Sequence, residues 1–351
     1  MIVNLEIGTD TASVQRALVA HGLWVRRLEG TEEVCFLIEP SSRRVSREEL
    51  LAIPGVRDVA LPKSPHPLLD AQPKHPSLCG VALGKEPLLI AGPCAVESPE
   101  QIDAIAARIS NVGARLIRGG AFKPRTSPYS FRGQGEQALG WLSAAARKHG
   151  LGVVTEVMAP EQAPAVAEHA DLLQIGCRNM QNYSLLASAA EHERPMLLKR
   201  GMSATVEEWL LAAEYCLLHG APFVVFCERG IRGFDTTTRN LLDLGAVALL
   251  SHVHHLPVLV DPSHACGRRD LIPALSKAAL AVGAAGLLLE THDAPGEALS
   301  DGPQALAPQE LKALAAELGF RAKTSNGERA GSMDSAAVAA PAELPRMEAR
   351  T

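Results

Sequence analysis

The sequence predicts an α/β protein, a (β/α)8 TIM barrel preceded by a small βαββαβ, ferredoxin-like domain. Three observations predict it. Between residues 88 and 319, eight short apolar runs alternate with eight segments at helical spacing. Apolar residues make up 47% of the chain but aromatics only 4%, so the core is Ala, Val, Leu and Ile, as suits a parallel sheet covered by helices. Polar residues recur at the ends of the apolar runs, where barrel enzymes keep their chemistry. In Val258-Leu259-Val260-Asp261-Pro262-Ser263-His264, Pro262 cannot continue a ladder and leaves His264 just past a strand end.

Residues 1–62 read as the small domain. Ile2 to Ile7 alternates apolar and polar, as a half-buried strand does, and Thr11 to Val19 places Val14, Leu18 and Val19 on one helical face. Leu23 to Leu28 and Val34 to Ile38 are strands joined by a turn at Glu29-Gly30-Thr31. Ser46-Arg47-Glu48-Glu49 has the pattern of a capping box, Pro54-Gly55 stops that helix, and Val56 to Leu61 is the last strand. Small amino-acid-sensing domains share this order, and so does a purely structural or oligomerising appendage. Five Pro between residues 62 and 80 mark 63–80 as a linker, with His66 and His75 solvated.

The barrel is expected over 81–321. Its strands are placed at 88–92, 114–118, 152–157, 172–176, 196–200, 223–228, 257–261 and 286–290. Its helices are placed near 98–111, 136–149, 160–168, 181–191, 205–218, 238–253, 269–282 and 308–319. Gly113, Gly150, Gly220, Gly283 and Gly319 sit where helices stop. A doubly wound open sheet is the alternative, but its first turn would carry Gly92-Pro93-Cys94 in place of a dinucleotide fingerprint. Residues 322–351 are rich in Ala, Ser, Pro and charge without helical period, and read as a disordered tail.

Net charge is −5, which gives no basic field for nucleic acid. No apolar run reaches the ~20 residues of a membrane helix, and MIVNLEIGTD lacks the regions of a signal peptide. The seven Cys are odd in number and contain no CxxC pair, which favours free thiols, one of them a ligand, in a cytoplasmic protein.

Two sets of strand-end residues carry the chemistry. Cys94 follows strand 1, His264 follows strand 7, Glu290 ends strand 8 and Asp301 lies in the loop beyond. Strands 7, 8 and 1 are neighbours in a closed barrel, so these four can converge on one divalent ion. The mixed soft and hard donors suit Mn, Fe, Co or Zn. Cys94 as a small buried hydrophobe is the competing reading. The second set is cationic: Arg118, Lys123, Arg125, Arg178, Lys199, Arg200 and Arg229. Buried strand ends rarely hold cations without anionic partners, so the rim implies a ligand with phosphate and carboxylate groups. Structural ion pairs with Glu156, Glu228 and Asp261 are the alternative.

Together the motifs resemble 3-deoxy-D-arabino-heptulosonate 7-phosphate (DAHP) synthase, of the type I beta branch with an N-terminal ferredoxin-like regulatory domain. They are Gly92-Pro93-Cys94-Ala95-Val96-Glu97, the run from Arg118 to Ser127, Ile175-Gly176-Cys177-Arg178-Asn179, Leu198-Lys199-Arg200-Gly201, the run from Cys227 to Arg232, and Asp261-Pro262-Ser263-His264. The resemblance implies the first step of the shikimate pathway, in which phosphoenolpyruvate and erythrose 4-phosphate give DAHP and phosphate. It implies Cys94, His264, Glu290 and Asp301 as metal ligands. It implies Arg118, Lys123, Arg178, Lys199 and Arg229 as phosphoenolpyruvate contacts, and Lys123, Pro124, Arg125, Thr126 and Ser127 as erythrose 4-phosphate contacts. Lys123 and His264 are the expected catalytic residues. A homotetramer, a Tyr or Phe feedback ligand and chorismate mutase as a partner are further expectations. Two other functions remain in view: 3-deoxy-manno-octulosonate 8-phosphate synthase, and a non-catalytic barrel that regulates chorismate mutase.

Overall fold

A computed structural model describes every residue except 30–33, 40–41, 62, 124–126, 128 and 323–351. The expected turn at Glu29-Gly30-Thr31 (beyond Glu29), the Pro124-Arg125-Thr126 stretch and the tail from residue 323 lie outside the described residues.

Strands Ile2–Leu5, Val25–Glu29, Val34–Ile38 and Val56–Ala60 form an antiparallel sheet in the order second, third, first, fourth. Helices Thr11–Ala20 and Arg47–Leu51 fall between them in the chain, which gives the βαββαβ order. Val3, Phe36, Leu18, Leu50 and Val59 close a core of their own. The capping box forms: Ser46 Oγ accepts from Glu49 N–H at 3.1 Å and the Glu49 carboxylate accepts from Ser46 N–H at 2.9 Å. The first strand stops at Leu5, two residues short of expectation, and Ile7 is left exposed.

The Pro-rich stretch is not a free linker. Pro67 opens a short helix, Pro67–Ala71, whose Leu68 and Leu69 N–H groups donate to the Glu214 carboxylate at 2.9 and 2.8 Å. Leu69 is buried in the main barrel core, and His66 is buried too, against the expectation of a solvated ring. A two-residue hairpin then joins Ser77–Leu78 to Val81–Ala82 through Cys79 and Gly80, both at positive φ. Leu78, Val81 and Leu83 pack on Leu88, Ile90, Leu116, Val154, Leu172 and Leu197 inside the barrel. Composition alone reads Pro as a spacer, but these prolines flank apolar residues that the barrel floor buries.

Eight parallel strands close the barrel: Leu88–Gly92, Leu116–Arg118, Gly152–Val157, Leu172–Ile175, Met196–Lys199, Val224–Glu228, Val258–Val260 and Gly286–Glu290. The eighth pairs with the first, placing Glu290 opposite Gly92. Both faces of the strands are buried, one against the helices and one in the barrel interior, which is why they read as unbroken apolar runs. One expected element differs. The helix placed at 238–253 begins only at Leu244, where Asp243 caps it, and its last turn, Leu249–His254, is π-helical. Residues ahead of it form a hairpin-like loop in which Ile231 and Leu241 exchange backbone hydrogen bonds. His264 also lies on an unexpected single turn, Pro262–Cys266, capped by Asp261. No described helix is long and apolar enough to cross a membrane.

Candidate active site

The carboxyl ends of the strands open into a cleft lined by Cys94, Arg118, Lys123, Arg178, Lys199, Arg229, His264 and Asp301. Except for Ser127 and Arg200, the sequence-predicted residues that the structure describes therefore meet in one place. Glu290 lies beneath them, with no exposed surface, and its carboxylate pairs with the Arg118 guanidinium. Ser127 is exposed, and its hydroxyl accepts from Tyr129 N–H at 3.3 Å.

Donor atoms of Cys94, Glu290 and Asp301 all lie within 4.8 Å of one another. Cys94 Sγ sits 3.1 Å from Asp301 Oδ2 and 2.9 Å from Ser300 Oγ. Burial, reinforced by the Glu290 charge, pushes the Cys94 thiol up to about 11. His264 Nδ1 lies 2.7 Å from Asp261 Oδ2, and its Nε2 lies 3.4 Å from Glu290 Oε1. Burial lowers the pKa of this imidazole, which favours the neutral form. With Nδ1–H given to Asp261, Nε2 carries a lone pair and faces a carboxylate. The converging Cys94 thiol and Glu290 and Asp301 carboxylates, with the His264 lone pair facing Glu290 beside them, are a donor set that a divalent cation satisfies. The residues fit a metal centre.

The cations differ in how they are held. Lys199 Nζ donates to Asp261 Oδ2 at 2.6 Å. Burial opposes that charge, yet Asp261 keeps the Lys199 pKa above its ordinary value. Asp261 itself is held well below the usual carboxylate range, despite burial, by His264 and Lys199. Among the described residues nothing accepts from the buried Arg118 Nε. Lys123, Arg178 and Arg229 have no carboxylate partner there either. Lys123 Nζ folds back over Gly120, where a Cβ would stand 2.7 Å from it and 3.0 Å from Cys94 O. A side chain at 120 would push the end of Lys123 aside and press on Cys94 O. Arg200, in contrast, turns out of the cleft. It donates to Glu228 at 3.1 Å and Asp243 at 2.8 Å, with its guanidinium 5.7 Å from the Trp209 ring. Here the ion-pair reading of the strand-end cations is the right one.

Arg239, Gln304 and Ser300 also belong to the site and were not singled out by sequence. Arg239 lies in the stretch read as helix, so its position at the cleft was hidden. Gln304 and Ser300 follow no strand and match no donor pattern.

The sequence profile described as the DAHP synthetase I family matches residues 70–323. A phospho-2-dehydro-3-deoxyheptonate aldolase of Thermotoga maritima is 42% identical over 337 residues, 92% of this chain and 99% of that protein. A 2-dehydro-3-deoxyphosphooctonate aldolase of Methylibium petroleiphilum is 33% identical over 272 residues, 69% of this chain and 93% of that one. The crystal structure of the Thermotoga maritima DAHP synthase superposes with a TM-score of 0.71 at 41% identity, covering 90% of this chain and 95% of that one. A truncated form of 3-deoxy-D-arabino-heptulosonate 7-phosphate synthase from the same organism gives a TM-score of 0.62 at 47% identity, covering 66% and 85%. With the profile spanning the whole barrel and this likeness running on through the N-terminal sheet, the chain belongs to the DAHP synthetase I family.

Proposed function

We propose that this chain is a 3-deoxy-7-phosphoheptulonate synthase, condensing phosphoenolpyruvate, erythrose 4-phosphate and water into DAHP and inorganic phosphate. The observation that carries the reading is one cleft in which Lys123 and Arg229, buried and without a carboxylate partner among the described residues, stand with Arg118, Lys199 and the exposed Arg178 around a cluster of metal-ligating side chains. A multiply anionic substrate supplies the missing partners. The likeness to the Thermotoga aldolase extends through the N-terminal domain, whereas the octulosonate aldolase matches only about two thirds of the chain.

In this reading Arg118, Lys123, Arg178, Lys199 and Arg229 hold the phosphate and carboxylate of phosphoenolpyruvate. The erythrose phosphate falls to Arg125 and Thr126, with Lys123, Pro124 and Ser127 beside them; this assignment rests on the resemblance. Cys94, His264, Glu290 and Asp301 hold the divalent ion, Mn, Fe, Co or Zn, which supplies Lewis acidity toward the aldehyde oxygen. C3 of phosphoenolpyruvate bonds to the aldehyde carbon, water oxygen adds to C2, and the C2–O bond to phosphate breaks; of the two water protons, one leaves with the phosphate and the other replaces the proton that Lys123 gives up. Lys123 gives its proton to the forming alkoxide, and Arg118, Lys199 and Arg229 offset the charge that gathers on the two anions. The N-terminal domain is the site at which Tyr or Phe inhibits, and the assembly is a homotetramer.

The test is phosphate release from phosphoenolpyruvate with erythrose 4-phosphate or arabinose 5-phosphate, after EDTA and again with Mn²⁺ restored. Erythrose-dependent release that returns with the metal is the expected result. Turnover with arabinose alone would assign the octulosonate reaction instead. No turnover with any metal would favour a non-catalytic barrel.

A further inference from the structure

Arg239 reaches the metal-ligating cluster from a part of the chain that contributes no ligand to it. It lies in the loop after the sixth strand, and that loop is fastened down. Arg239 N–H donates to Cys266 O at 3.0 Å, Asn240 N–H donates to Ala265 O at 2.8 Å, and Asn240 Nδ2 donates to His264 O at 3.0 Å. The backbone beneath Arg239 is thus bound to the turn that carries His264. Its guanidinium then crosses to the loop after the eighth strand. Nη1 is 3.5 Å from Asp301 Oδ1 and donates to Gln304 Oε1 at 2.9 Å. The Gln304 amide in turn donates to Glu290 Oε2.

Asp301 needs such a tether. It stands outside any strand, at a positive φ of 53°, ahead of a single 3-10 turn. Its two oxygens are divided: Oδ2 accepts from Cys94 Sγ and Oδ1 faces Arg239. The guanidinium charge beside the outer oxygen draws that oxygen to its side and leaves the other toward the thiol. Glu290 is treated alike, with Gln304 on Oε2 while Oε1 faces Arg118 and His264.

We propose that Arg239 is a positioning residue of the metal centre, holding Asp301 directly and Glu290 through Gln304, so that two carboxylates, one ending the eighth strand and one in the loop after it, present single oxygens to one ion. The proposal rests on the metal-site reading given above. It adds that the affinity of the site is set in part by a cation that is not a ligand, as outer partners of metal-binding side chains generally do.

The experiment is Co²⁺ binding to the full chain without substrates, followed by thiolate-to-cobalt absorption and by competition with a chelator. Wild type is expected to show the thiolate band. Arg239→Ala is expected to bind Co²⁺ about 10–100-fold more weakly, with the melting temperature of the metal-free protein unchanged because the side chain is partly exposed. Arg239→Lys, which keeps the charge but not the fork, is expected to fall between them. Arg239→Ala with wild-type affinity and band would overturn this proposal and leave the metal site standing. A wild-type protein without the thiolate band would overturn the Cys94–Glu290–Asp301 site and this proposal with it.

Discussion

Lys199 Nζ, at the end of the fifth strand, donates at 2.6 Å to the carboxylate of Asp261, which follows the seventh. Both side chains are buried, at 5% and 0% exposure. The pair spans the barrel mouth between non-adjacent strands, and the same Asp261 oxygen meets His264 Nδ1 at 2.7 Å. One carboxylate therefore orients both the Lys199 ammonium and the His264 imidazole. Lys199→Met should lower stability by about 3 kcal/mol, since it leaves a buried charge with one partner fewer. Denaturant melts of Lys199→Met and of the double variant Lys199→Met/Asp261→Asn check this. If the pair is responsible, the double variant regains part of the loss.

Lys123 is the proton donor in the proposed reaction and, among the described residues, pairs with no carboxylate. Lys123→Met is expected to cut kcat by roughly 10²–10⁴-fold, the usual contribution of a positioned acid. Stability should change little. Single-turnover rates with both substrates measure the effect, and near-normal turnover would remove Lys123 from that role.

Cys94 is the soft member of the donor set. Cys94→Ser replaces a thiol by a hydroxyl of similar shape, so the fold should persist while Zn²⁺ and Co²⁺ are retained less well. Elemental analysis after dialysis is the measurement. Metal content equal to wild type would support the reading of Cys94 as a small buried hydrophobe.

Leu83 has no exposed surface and closes the barrel floor with Leu78 and Val81. Leu83→Ala should destabilise by about 2–5 kcal/mol. Leu61→Ala, at 55% exposure in the N-terminal domain, should stay within about 0.5 kcal/mol. Urea denaturation of the two variants separates a plug from a linker.

The regulatory proposal depends on where the chain is cut. A protein beginning at residue 63 keeps the Pro67–Ala71 helix against Glu214 and the floor hairpin, and should remain active while losing inhibition by Tyr or Phe. Cutting at residue 84 removes both elements and should give an unstable barrel. Inhibition that survives in the protein beginning at residue 63 would place the amino-acid site in the barrel.

Most of the barrel was legible because its strands are buried on both faces. Sequences such as Leu287-Leu288-Leu289 and Val224-Val225-Phe226 leave no polar residue to confuse the reading, and Gly113, Gly150 and Gly283 mark the helix ends. Site residues at strand ends were legible for the same reason: a Lys or Glu that closes an apolar run stands out. Legibility failed where residues act from loops. Arg239 carries no periodic signal, and the Pro-rich 63–80 stretch reads as polar spacing although Leu69 and Leu78 are buried.

By itself, then, the sequence determined the order of elements and which side chains stand at the barrel mouth, since both follow from local periodicity and from strand ends. Only the tertiary structure decided which of those side chains act together. Lys199 and Arg200 are neighbours in the chain, yet one points to Asp261 in the cleft and the other to Glu228 and Asp243 behind it. Successive residues around a strand end face opposite sides of the sheet, so which cation meets the ligand depends on register and closure. Contacts such as Lys199 with Asp261, 62 residues apart, exist only once the barrel has closed.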